Sequence, residues 1–413
     1  MSALFSLFRR SMMGALLCSM LCWSCAVTAA PAKLQYTVEF LPQQKVARVE
    51  IEMDEARWLK QARFRLHKHK LENVTASGEW VVQGDDALWR PKTRGKARLS
   101  YTIEFTRERG QGAYDAYITG EWALLRGEGI VPPISVRRTK NAQVETSVRF
   151  VLPEGWSSVN AGWSQTDAPY TYKLTSDKTL FVRPHGWIIA GKLGTRREQL
   201  SKTEVAVSAP RGQGYGQMEK MTFLGLIWPQ IEKVFPQTPP VILIVGAEDP
   251  MWRGGLSAPT SLFMHASRPL VGENGTSTLV HELVHVISGI HGTDGHDWIA
   301  EGLAEFYSVE LIYRAGGFTP VRREKIFGDL LARGREVKSL RQKSSKGPIT
   351  DRAAAFFEEL DREMQKQSAG RYGLDDLVRL VLEKKYLSTE DLQRAYKQLL
   401  GKDSALLASE LVR

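Results

Sequence analysis

Apolar and polar positions alternate with period two along residues 34–40, Val46–Met53, 99–105 and Val144–Val151, and again along 203–207. Such alternation turns one side-chain face to a core and the other to water, so each run predicts a half-buried antiparallel strand. Residues 31–209 therefore read as one β-rich domain. The segment Pro210-Arg211-Gly212-Gln213-Gly214 interrupts the pattern, and a Pro/Gly cluster between two periodicities marks a domain boundary. Beyond it, apolar residues recur at helical spacing over 218–234, Val241–Val245 is a short continuous apolar strand, and helical patterns dominate after Thr276. The predicted class is α+β, with 210–413 as a second domain that is mixed at its start and mostly helical later.

Composition narrows the reading. At 43% hydrophobic and 25% charged residues, the chain is neither disordered nor fibrous, and its 413 residues suit two or three domains of roughly 150 each. Arg9-Arg10, an apolar stretch over 12–27 and the small residues Val27-Thr28-Ala29-Ala30 form the three parts of a secretory signal peptide spanning 1–30. The apolar run is short for a membrane anchor, and Leu21 stands one position off the pattern for a lipid on Cys25. Cys18, Cys22 and Cys25 all fall in that segment, so the mature protein is expected to be exported, periplasmic or secreted, without a disulfide. The formal charge of +10 suits weak association with an anionic envelope surface. The densest basic stretch, 321–347, has no interleaved aromatic residues to stack on bases, which excludes nucleic acid as its partner in favour of a solvated helix face.

Chemistry is concentrated in two short segments. His281-Glu282-Leu283-Val284-His285 lies in an apolar run, with Thr276-Ser277-Thr278 as candidate N-caps and Gly289 as a stop. On a helix, positions i and i+4 share a face, so both imidazoles can hold one Zn²⁺, which needs a third protein ligand and an open position for water. Glu282 is placed to take a proton from that water. The second segment, 297–307, reads DWIAEGLAEFY, with Asp297 as its cap and Gly316-Gly317 as its end. Glu301 and Glu305 stand four apart on one face of an otherwise apolar helix, and two carboxylates there need a cationic partner. Glu301 is assigned as the third ligand, and Glu305 as the carboxylate that accepts a ring N–H from a ligating histidine. His291 stands six after His285, the third-ligand spacing of metzincins, but Ser288 replaces the glycine of that pattern and the next methionine is Met364.

The pair HELVH and WIAEGLAEFY resembles the zinc signature of the gluzincin metallopeptidases, above all the aminopeptidase N and glycyl aminopeptidase families. Fifteen residues separate His285 from Glu301, slightly fewer than in aminopeptidase N. Segment 187–193 resembles the close of those families' N-terminal β domain, and 360–377 their helical region after the active site. The resemblance implies an antiparallel β domain followed by a mostly helical, thermolysin-like zinc peptidase domain. Two departures stand out. Where the families place an oxyanion-stabilising tyrosine, this chain has Ile349-Thr350-Asp351-Arg352, which leaves Tyr307, Tyr372, His291 and His296 as candidates for that role. Where aminopeptidases carry an acid for the substrate amine, it has Gly254-Gly255-Leu256-Ser257. The expected function is zinc-dependent hydrolysis of peptide or protein substrates outside the cytoplasm, with Glu282 as general base. The alternative is a non-catalytic, zinc-stabilised envelope binding protein derived from a peptidase fold.

Overall fold

The first two strands, Ala32–Leu41 and Val46–Met53, pair antiparallel with Leu34 opposite Met53. Their inward positions Leu34, Tyr36, Val38 and Phe40 are buried, as the alternating pattern requires. The computed structural model describes residues 31–92, 94–139, 142–175 and 181–413, so the segment 1–30, expected to be a signal peptide, lies outside the described residues. The opening hairpin sits in a six-stranded sheet, in which Ala32–Leu41 also pairs parallel with Val144–Val151. A four-stranded sheet, with Leu59–Arg65 and Asp86–Arg90 at its centre, shares the same core, which contains Trp58, Phe64, Trp89 and Tyr101.

A third sheet joins this unit to the rest of the chain. Its central strands, Trp122–Arg126 and Trp187–Gly191, are antiparallel, and both of their faces are apolar. Ala123, Leu125, Ile188 and Ala190 pack into the β-domain core. Trp122, Leu124, Trp187 and Ile189 pack on Leu243, Val245 and Phe263 of the next sheet. A strand buried on both faces reads as a continuous apolar run, which is what Trp187-Ile188-Ile189-Ala190 shows.

The next sheet runs, in spatial order, Leu193–Leu200, Thr203–Pro210, Val241–Val245, Ser261–Met264 and Gly255–Ala258. Thr203–Pro210 pairs parallel with Val241–Val245, and the helix α1 (Gln217–Val234) makes the crossover. Thr203–Pro210, expected as the last strand of the β-rich domain, is thus paired in this second sheet. A period-two strand looks the same in either sheet, and only its pairing with Val241–Val245, more than thirty residues on, assigns it to the second one. Gly255–Ala258 is the outer strand, with one edge unpaired within this sheet.

Six further helices follow: α2 (Thr278–Ser288), α3 (Asp297–Arg314), α4 (Pro320–Arg333), α5 (Pro348–Gln367), α6 (Leu374–Val381) and α7 (Thr389–Leu400). They share one core with α1 and the sheet. Much of the basic stretch is consumed within them: Arg323 pairs with Glu310 and Glu358, Lys325 with Asp329, and Arg333 with Asp351. Among the described residues, no helix is long and apolar enough to cross a membrane.

Candidate metal centre

Helix α2 starts where the Ser277 hydroxyl accepts the Val280 amide and stops at Gly289, whose φ of +57° a side chain would resist. Leu279, Val280, Leu283, Val284, Val286 and Ile287 are buried in the core. The opposite face carries His281, Glu282 and His285 to the floor of a cleft of about 1570 Å³. Helix α3 packs alongside and brings Glu301 and Glu305 to the same place. Asp297 does not cap α3 through its side chain, contrary to expectation; its carboxylate accepts the Ser345 amide at 2.7 Å, because the loop before α5 folds over that helix start.

Two imidazole nitrogens and one carboxylate converge, each of the two Glu301 oxygens facing a different histidine. Nε2 of His281 and Nε2 of His285 are 3.2 Å apart, and the Glu301 carboxylate oxygens lie 3.4 and 3.5 Å from them. A tetrahedral site with bonds of 2.0–2.1 Å has edges of about 3.3–3.4 Å, so the donor set and spacing fit Zn²⁺. These are the three residues that could hold a metal ion among the described residues. His291 is not one of them. The Glu305 carboxylate lies 2.9 Å from His281 Nδ1, which orients the ring so that Nε2 faces the other two ligands.

Electrostatics within the group follow from burial and these contacts. Burial opposes a charge on His281, but the hydrogen bonds it donates to the Glu301 and Glu305 carboxylates outweigh it and raise its pKa well above the usual value. Burial pushes His285 down to about 4, with the charge on His281 adding to the effect. Burial also pushes the Glu282 carboxyl up, against the pull of His281 and of the Ser257 hydroxyl and amide, which hydrogen-bond it. That Ser257 contact brings the outer strand Gly255–Ala258 against the general-base candidate. A Cβ at Gly255 would lie 2.7–2.8 Å from Cγ and Oε1 of Glu282, so only glycine lets strand and helix approach this closely. Gly255→Ala is expected to displace the Glu282 carboxylate and lower kcat by about 10²-fold, with metal content unchanged by metal analysis. Full activity in that variant would show that the Glu282 position is not critical.

The four candidates for oxyanion stabilisation separate clearly. Tyr307 is fully buried and donates to Asp375 Oδ1 at 2.9 Å, tying α3 to α6, and it does not line the cleft. Tyr372 packs on the helical core with its amide on the Ser368 hydroxyl. His296 is buried, with Nδ1 beside the Thr293 hydroxyl and the Asp294 carbonyl. Neither Tyr372 nor His296 lines the cleft. His291 does, with its ring 5.4 Å from that of Tyr386, which lines the cleft as well. Tyr386 escaped sequence reasoning because it lies more than eighty residues beyond Glu301 and reaches the wall through a two-residue parallel pairing with His291.

No family model and no curated protein matches this chain. Solved structures do. An aminopeptidase N family protein from Idiomarina loihiensis superposes with a TM-score of 0.65 at 13% identity, over 85% of this chain and 70% of that one. An M1 zinc metallopeptidase from Deinococcus radiodurans superposes with a TM-score of 0.56 at 17% identity, over 92% of this chain and 91% of its own. The chain has the M1 zinc metallopeptidase fold. A third structure, Legionella pneumophila aminopeptidase A in complex with aspartic acid, matches with a TM-score of 0.54 at 15% identity, over 93% of this chain and 49% of that one. At these identities the M1 likeness is one of architecture, and the chemistry of the present cleft is read from its own residues.

Proposed function

We propose that this chain is a zinc-dependent peptidase, exported behind the signal peptide 1–30, that hydrolyses peptide bonds in the cleft above α2. The observation that carries the reading is the convergence of His281, His285 and Glu301 with the Glu282 carboxylate held beside them by Ser257. His281, His285 and Glu301 would hold the zinc, and Glu305 keeps His281 in the tautomer that binds. When bound, zinc supplies a Lewis acid beside the scissile carbonyl and the attacking water. Glu282 takes the proton of that water and passes it to the leaving amine, a role that burial favours by raising its proton affinity. The outer strand Gly255–Ala258 lines the cleft and offers backbone groups to an extended peptide. The M1 fold of the neighbours, one of them a Deinococcus enzyme bound to the substrate Tyr-Ser-Ala, supports a peptide as the ligand.

The test is hydrolysis of a mixed peptide library by the mature protein before and after zinc is stripped. Chelation is expected to abolish cleavage, and added zinc to restore it. Cleavage that survives complete removal of metal would end the zinc reading. A zinc-loaded protein that cleaves nothing would favour the binding protein instead.

A further inference from the structure

The end of the cleft built by the β domain is cationic. Arg109 and Arg126 line it together with Trp252 and Glu128. The Arg109 guanidinium lies 4.3 Å over the Trp252 ring, and that of Arg126 lies 5.5 Å over Trp187. Stacking occupies the faces of a guanidinium and leaves its edge N–H donors for a planar acceptor. Arg126 shares the buried Asp115 with Arg107, each at 3.6 Å and so beyond hydrogen-bond distance, and Arg109 has no ion pair among the described residues. Trp187 also donates its indole N–H to the Leu256 carbonyl at 2.9 Å. Arg126 is thereby set beside the outer strand whose next residue, Ser257, holds Glu282.

At this end Glu128 is the one lining carboxylate, set against two guanidiniums. Glu282, Glu301 and Glu305 belong to the metal group. Glu128 accepts the Gly186 amide at 3.0 Å, Asp297 accepts the Ser345 amide, and Asp351 is paired with Arg333. Glu383 and Lys385 line the cleft from the segment after α6, and Lys346 lines it close enough to Glu301 to lower that carboxyl's pKa. A substrate α-ammonium entering the β-domain end would meet two guanidiniums and a single carboxylate, whereas a carboxylate would find the donors of two guanidiniums.

We propose that this cleft selects peptides bearing a carboxylate, received by Arg126 and Arg109. The proposal rests on the peptide-binding reading of the same cleft and adds the substrate class. The carboxylate can belong to an acidic side chain or to the C-terminus, and the probes separate these sources. The zinc-loaded Glu282→Gln protein is titrated calorimetrically with Asp-Ala-Ala amide, Ala-Ala-Ala, Ala-Ala-Ala amide and Lys-Ala-Ala amide. At least one carboxylate-bearing peptide is expected to bind about ten- to hundredfold more tightly than Ala-Ala-Ala amide. Adding Arg126→Gln or Arg109→Gln should remove that advantage without changing zinc content. Equal binding of all four peptides, no binding of the carboxylate-bearing ones, or a preference that survives both substitutions would overturn it. A wild-type protein that binds the acidic peptide with this arginine-dependent preference but never cleaves it would refute the peptidase reading and leave carboxylate recognition standing.

Discussion

Glu282→Gln is expected to reduce kcat on a peptide substrate by about 10²–10⁴-fold, the usual contribution of a positioned general base, while zinc stays bound. The substitution keeps the size of the side chain and its reach to Ser257, but an amide cannot accept and return a proton. Glu282 is no part of the ligand group, so metal analysis of the purified variant should match that of the wild type. Unchanged turnover would remove Glu282 from the mechanism. The same variant separates the two functions considered for the chain, because a zinc-stabilised binding protein has no use for a buried carboxylate beside its metal.

The second large effect is expected at the third ligand. Glu301→Ala should weaken zinc binding by more than about 100-fold, since even outer hydrogen-bond partners of metal ligands are worth 10–100-fold. It removes the oxygens that stand 3.4 and 3.5 Å from the two imidazole nitrogens and leaves two neutral donors where three ligands including a charge had been. His291→Ala should leave zinc content unchanged, because His291 is outside the ligand group and packs at a tilt against Tyr386 at the cleft wall. The pair of measurements discriminates between two spacings that the sequence alone allows. Zinc retained without Glu301, or lost without His291, would reverse the ligand assignment.

Helical periodicity is a local property, which is why much of the metal centre is legible in the sequence. Residues four apart on one helix share a face whatever the rest of the chain does, so His281 with His285, and Glu301 with Glu305, could be paired before any tertiary structure was known. Burial of the remaining positions on α2 was equally legible, because they are apolar. The choice of tyrosine was not. Tyr307 lies only six residues from Glu301, yet it is turned into the core to meet Asp375, whereas Tyr386 reaches the cleft from a distant segment. Nor could pattern alone decide that Thr203–Pro210 belongs to the second sheet, since alternation specifies a face and not a partner.

The sequence by itself therefore determined the ligand-bearing helix faces, the α+β class and the apolar strands, all consequences of short-range periodicity. Only the tertiary structure decided what surrounds the metal centre: Gly255 and Ser257 against Glu282, Tyr386 beside His291, and Arg109 and Arg126 at the mouth. Those residues lie from about 25 to more than 170 positions from Glu282 along the chain. They meet because a sheet apolar on both faces, carrying Trp187, clamps the β domain onto the sheet that carries Gly255–Ala258, and such pairings depend on the packing of whole layers rather than on any local run of residues.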